Sequence, residues 1–261
     1  MLDAFLSRQL SRGRITFTRE DALRTLPADS LTTALSQLIR KGRIANPRHG
    51  FYLILQPEDR QQGAPDPARW IHPLMKHQKI DYRISLLSAA KFHGATAQPT
   101  ALQLIVPSQL RDFAIGRHKL EFINQTPSSF ARTNRPEWLA EMKSGSSIAK
   151  AAGVELTLLD CARWFHKAGG ISAVAQVTRE LGAKALARRL APLARDCESS
   201  AVRRLGYLLE LAGHEPQAKA LDRFAQAART VKLLDPSSGI EPTEMSGRWK
   251  IAVNTPVERD S

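Results

Sequence analysis

The chain is short of cysteine: Cys161 and Cys197 are the only two among 261 residues. Two distant thiols build no framework of bridges, and the count suits a reducing cytosol. They also fall short of the Cys/His set that a structural zinc needs. His72 and His77 lie close together, but their flanks read as loop, so a solvated pair is expected there rather than a metal site. No apolar run approaches the length of a membrane span. The first residues alternate as an amphipathic helix with Asp3, Arg8 and Arg12, not as the apolar stretch of a secretory signal. No membrane partner is expected, and the expected compartment is the cytoplasm. A Gly-rich phosphate loop and a Ser-His-Asp arrangement with supporting context are both missing, as is any internal repeat. No enzyme, metal or cofactor is expected.

Acidic residues are scarce beside basic ones. Lys plus Arg minus Asp plus Glu is 38 − 25 = +13, with a sequence pI near 10.3. Such a surplus attracts polyanions, nucleic acid foremost. It is large already in the first part of the chain, where Arg8 to Arg48 carries 9 − 3 = +6.

That first part has a readable order. Leu2, Phe5, Leu6 and Leu10 sit at helical spacing, and Gly13 supplies a stop. Ile15-Thr16-Phe17 reads as a short strand. Thr18 with Asp21 reads as a capping box opening a helix from Arg19 to Leu26. After a turn at Pro27-Ala28, Asp29 or Ser30 is the expected cap of a third helix, which Gly42 ends. A hairpin follows, from Arg43 to Asn46 and from Phe51 to Leu55. Helix, strand, helix, helix, hairpin is the element order of a winged helix-turn-helix.

On the third helix, Leu31, Leu35, Leu38 and Ile39 fall on one stripe, the side expected toward a core. Thr33, Gln37 and Arg40 fall opposite, with Ser30 and Ser36 beside them and Lys41 following. This outward side carries no carboxylate beyond the cap. Short hydroxyls allow close approach to a groove, and Gln and Arg can pair with adenine and guanine edges. Arg43, Arg48 and His49 would then hold the phosphate backbone or a minor groove from the hairpin. Phe51 and Leu53 are expected against the core, with Tyr52 facing away. An ordinary solvated helix face and a protein-docking module remain open from the residues alone.

Residues 57–73 are rich in proline and polar groups and read as a linker. Beyond them, a helix is expected at Ser85 to His93, strands at Leu102 to Val106 and Leu120 to Asn124, and little signal from 125 to 147. Helices are expected over 155–167, 171–181, 184–195, 199–212 and 216–229, then strands at 231–234 and 249–253. The fold class is thus α+β: residues 1–56 as a winged helix-turn-helix, and 74–261 as a larger, mainly helical mixed α/β domain. Arg188-Arg189 and Arg203-Arg204 are the densest basic pairs there, a candidate secondary patch for DNA or an acidic protein. Asp160, inside a helix, and Glu198 are the carboxylates a nuclease would use, but a second carboxylate and a lysine are missing beside Glu198.

The order of parts resembles the AbiEi-type antitoxins, the transcriptional-regulator components of AbiE toxin–antitoxin systems. The resemblance runs through GFYLIL, YRISLLSAAKFHG, LQLIVP, VELTLLDCARW, SAVRRLGYLLELAG, and a closing LDP followed by RWKIAVN. It implies a cytoplasmic protein whose N-terminal domain binds inverted repeats in its own double-stranded promoter DNA and represses it. It implies a C-terminal domain needed for antitoxin activity against a nucleotidyltransferase toxin, and it marks helix 30–40 with Arg48 and His49 as the DNA-reading positions. The alternatives are a stand-alone winged-helix regulator with a ligand- or partner-sensing C-terminal domain, and a metal-dependent nuclease.

Overall fold

The computed structural model describes residues 2–145 and 147–257. The chain opens with α1 (Leu2–Ser11), whose Leu2, Phe5 and Leu6 fall inward at helical spacing. β1 (Thr16–Thr18) leads into α2 (Arg19–Leu23), shorter than expected. The capping box at their junction is present: the Thr18 hydroxyl accepts the Asp21 N–H at 3.2 Å, and the Thr18 N–H donates to the Asp21 carboxylate at 2.9 Å. α3 (Ala28–Arg40) starts one residue earlier than Asp29 and has no side-chain cap, because Pro27 occupies the flanking position. Gly42, at φ +60°, lets the chain leave the helix.

β2 (Ile44–Arg48) and β3 (Phe51–Ile54) form the hairpin, and β1 joins the other edge of β3 in an antiparallel sheet of order β1-β3-β2. The two faces of β3 are reversed from expectation. Tyr52 and Ile54 join the core under the helices with Phe5, Phe17, Leu31, Leu35 and Leu38. Phe17 stacks on Tyr52 at 5.1 Å and meets Phe5 edge-on at 5.4 Å. Phe51 and Leu53 are buried on the other face, with Phe51 against His77 at 5.6 Å. A strand that is apolar at every position gives no alternation from which to choose.

The segment expected as a linker is folded. It holds α4 (Pro57–Arg60) and a 3-10 turn at Pro67–Arg69, and fully buried Trp70 donates its indole N–H to the Pro65 carbonyl at 2.9 Å. α5 (Ile71–Gln78) follows, so the flanks of His72 and His77 are helix rather than loop. Polar and proline-rich composition concealed a buried tryptophan.

By contact the chain divides into two compact units, and it passes between them repeatedly. The first comprises residues 1–82, 100–124 and 141–150; the second comprises 83–99, 125–140 and 151–261. After α5 the chain enters the second unit as β4 (Arg83–Ile84) and α6 (Leu86–Phe92). It returns to the first as β5 (Leu102–Val106), β6 (Phe113–Ile115) and β7 (His118–Asn124). β5 runs parallel to β7, and β6 antiparallel to it. The β6–β7 turn sits against the segment after α4: Arg117 N–H donates to the Gln62 carbonyl at 2.8 Å, and a Cβ on Gly116 would lie 2.0 Å from that oxygen. Only glycine fits there.

The stretch 125–147, weak in sequence, is α7 (Pro127–Thr133), a 3-10 turn at Pro136–Trp138, and β8 (Leu139–Ser144). β9 (Ser147–Ala152) brings Ala151 beside Ile84 of β4, in parallel. The second unit then continues as α8 (Val154–Arg163), α9 (Gly170–Leu181), α10 (Ala187–Ala194) and α11 (Ser199–Leu211). The last expected helix is two short ones, α12 (Glu215–Lys219) and α13 (Asp222–Gln226). A sheet of order β10-β12-β11 closes it, from β10 (Lys232–Leu233), β11 (Glu244–Ser246) and β12 (Ile251–Val253). α11 is buried at every position from Ala201 to Leu209. Gly206 lets the Trp249 ring lie against its backbone, where an added Cβ would stand 2.1 Å from a ring carbon. Among the described residues no helix is long and apolar enough to cross a membrane.

Candidate nucleic-acid interface

α3 is held by its apolar side. Leu31, Leu35 and Leu38 are buried, while Ile39, expected on the same stripe, is 42% exposed. Ser30, Thr33, Ser36, Gln37, Arg40 and Lys41 are all exposed. The Ser36 hydroxyl donates to the Thr32 carbonyl one turn back at 2.9 Å, and Arg19 of α2 donates to the Thr32 hydroxyl at 3.0 Å. The latter bond places an unforeseen arginine beside the first half of α3. Gln37 and Arg40 make no side-chain hydrogen bond or ion pair among the described residues.

The remaining expected cations divide. Arg43 pairs with Asp3 of α1 at 3.3 Å, both groups well exposed. His49 is exposed at the hairpin tip. Arg48 is not the free tip cation the sequence suggested. Its guanidinium donates to the Arg111 carbonyl at 2.6 Å and lies 4.0 Å over the Phe113 ring. Burial holds it below the usual guanidinium range. One basic hollow escaped the sequence reading: Arg8, Arg12, Arg14 and Arg24 surround a space of about 330 Å³ with Asp21, whose carboxylate serves the capping box. Spacing from Arg8 to Arg24 does not reveal it, because α1, β1 and α2 must fold before these residues converge.

The secondary basic patch is corrected at half its members. Arg203 and Arg204 are only 2% and 4% exposed. Arg203 donates to the carbonyls of Thr230 at 2.7 Å and Lys250 at 3.3 Å. Arg204 donates to those of Leu234 at 2.8 Å and Ala162 at 2.7 Å, and burial pulls it down to about 10. These side chains satisfy carbonyls around α11 and offer nothing to a polyanion. Arg189 is half-buried, paired with buried Glu155 at 3.3 Å and bonded to the Glu137 carbonyl. Arg188 is exposed.

Asp160 sits in a closed polar cluster. Both its oxygens are taken by Arg83, from Nε at 2.9 Å and Nη2 at 3.0 Å, and the Ser85 hydroxyl adds a bond of 2.6 Å. Arg83 Nη2 also donates to the Gln125 side-chain oxygen at 2.9 Å. Arg83 is fully buried and Asp160 nearly so. This carboxylate anchors β4 to α8. Glu198 pairs with Arg163 at 2.5 Å. Among the described residues no group of three His, Cys, Asp or Glu side chains is placed to hold a metal ion. Both cysteines are free, and burial raises Cys161 and pushes Cys197 up to about 12. His72 and His77 are not simply solvated: His72 Nδ1 lies 3.2 Å from the Tyr82 hydroxyl, and His77 Nε2 lies 3.3 Å from the His49 carbonyl.

A crystal structure of the RV2827C protein from Mycobacterium tuberculosis is similar, with a TM-score of 0.68 and 17% identity over 95% of this chain and 89% of that one. At that identity the likeness establishes the fold alone. No curated protein matches. The family model described as the AbiEi antitoxin C-terminal domain matches residues 83–211. That stretch begins at Arg83, spans the Arg83–Asp160 anchor and ends with buried α11. By this match residues 83–211 belong to the AbiEi antitoxin C-terminal domain family.

Proposed function

We propose that the protein is the DNA-binding autorepressor and antitoxin of a toxin–antitoxin pair, acting in the cytoplasm by binding without chemistry. The observation that carries the DNA-binding half is the exposed side of α3. From Ser30 to Lys41 it offers hydroxyls, one amide and two cations, with no carboxylate. In this reading residues 1–56 act as a winged helix-turn-helix and α3 enters the major groove of promoter inverted repeats. Ser30, Thr33 and Ser36 permit close approach, Gln37 and Arg40 meet base edges, and Lys41, Arg43 and His49 meet phosphates. Arg48, tied to Arg111 and Phe113, fixes the hairpin instead of reaching for DNA.

The antitoxin half rests on the family of residues 83–211. The toxin it counters is, on this reading, a nucleotidyltransferase encoded beside it. Binding of the full chain to DNA upstream of its own reading frame, followed by fluorescence anisotropy, tests the first half. Affinity that falls steeply with salt and is selective for that DNA supports it; equal weak binding to any duplex sinks it. Co-expression with the neighbouring reading frame tests the second. The doubly substituted Gln37→Ala/Arg40→Ala chain should lose repression yet still rescue growth.

A further inference from the structure

A second concave site lies wholly within the first unit, at the C-terminal end of α5. It is a hollow of about 420 Å³, lined by His72, Lys76, Lys79, Tyr82 and Lys150, with Met75 and Ile80 supplying apolar wall. The volume is that of a small-ligand pocket. Asp81 is the one carboxylate in its lining, and it is engaged: it pairs with Lys150 Nζ at 2.6 Å and accepts the Tyr82 N–H at 2.9 Å. Lys76 and Lys79 make no ion pair among the described residues. The polar floor is ordered. The Tyr82 hydroxyl accepts the Lys150 backbone N–H at 3.3 Å and lies 3.2 Å from His72 Nδ1.

Burial, Lys150 and Lys76 all lower the His72 pKa, which favours the neutral ring. In the tautomer in which the Tyr82 hydroxyl donates to Nδ1, the ring's own proton lies on Nε2, which is then a donor. Lys79 stands at φ +57°, a left-handed position at the helix end where glycine fits without strain. A lysine held in such a conformation points to a role for its side chain.

We propose that this hollow is a phosphate-binding site. Two unpaired ammonium groups, a third shared with Asp81, and an imidazole N–H match the charge and acceptor oxygens of a phosphate group. The apolar wall of Met75 and Ile80 suits the organic part of a phosphate ester. One residue on from Lys76, His77 Nε2 lies 3.3 Å from the His49 carbonyl and its ring packs against Phe51 of the hairpin. The phosphate has two possible sources, a free phosphate ester or the DNA backbone, and the second source alone rests on the DNA-binding reading above.

The test uses the full chain and its Lys76→Gln/Lys79→Gly variant, with Lys119→Gln, an exposed lysine outside the hollow, as control. Calorimetric titration with inorganic phosphate and with AMP reads the free-ester arm. Anisotropy with promoter DNA across a KCl series reads the other. A loss of tenfold or more toward phosphate or AMP, absent in the control, supports the site with a free ester as its source. A salt slope lower by about 2, absent in the control, supports it with DNA as the source. Unchanged affinity in both arms overturns the site, as does equal loss in the control. Because glycine suits position 79, the melting temperature should not fall, which separates lost binding from lost folding. A parent chain that binds no DNA defeats the DNA-binding reading and leaves the phosphate and AMP arm to decide this one.

Discussion

Arg40 on α3 and Arg204 on α11 are the same side chain, each on a thirteen-residue helix, put to opposite uses. Arg40 is exposed and makes no bond to the protein among the described residues, whereas Arg204 is buried with two carbonyl acceptors. Burial of the helix decides the difference. α3 presents one apolar stripe and leaves the rest to solvent, so an arginine on its outer side keeps its charge available. α11 is covered from Ala201 to Leu209, so an arginine there must find acceptors or not be tolerated. A basic composition therefore overstates the surface available to a polyanion. Part of the +13 surplus holds loops and strands in place.

The buried side of that comparison should break first and hardest. Asp160→Ala strips Arg83 of its buried partner, and breaking such a pair costs about 3–5 kcal/mol. Denaturant unfolding should show a large fall in midpoint at similar slope. If Asp160→Ala instead unfolds like the parent, Arg83 is not the anchor argued for it. Arg204→Ala is expected next, at about 1.5–3 kcal/mol, for losing charge-assisted bonds to Leu234 and Ala162. Its DNA affinity, measured where it remains folded, should match the parent. A specific loss of DNA binding would return Arg204 to the basic patch.

The sequence carried some of this and hid the rest for physical reasons. The capping box at Thr18, the apolar stripe of Leu31, Leu35 and Leu38, and the glycines at 42 and 50 are local signals, and the elements they imply are present. Residues 125–138 failed because short helical turns opened by Pro127 and Pro136 leave no period to read. The Arg203–Arg204 patch failed for another reason. In SAVRRLGYLLELAG apolar residues occupy nearly every side of the helix, a sign of burial all round that the charge count overrode. The hollow at His72 was invisible because Lys150 arrives from a strand some seventy residues later, roughly the separation that only folding can close.

The exposed side should respond in binding and not in stability. Arg40→Ala is expected to lose about 1–3 kcal/mol toward the cognate site, with relaxed preference at one base position. Its unfolding free energy should stay within about 0.5 kcal/mol of the parent. Equal, equally selective binding would show that α3 is not the reading helix.

Arg43 stands between the two cases and gives the smallest effect. It is exposed like Arg40 yet paired like Arg204, with Asp3 as its partner at 3.3 Å. Exposed pairs of this kind contribute about 0–1 kcal/mol. Asp3→Ala should therefore leave stability almost unchanged while removing a carboxylate that competes with phosphate for the guanidinium. DNA affinity should rise a few-fold at low salt, and the gain should fade as added salt screens the competing charge. Weaker binding by Asp3→Ala would mean that the pair positions Arg43 for DNA, and that the boundary between structural and available arginines runs through Arg43 itself.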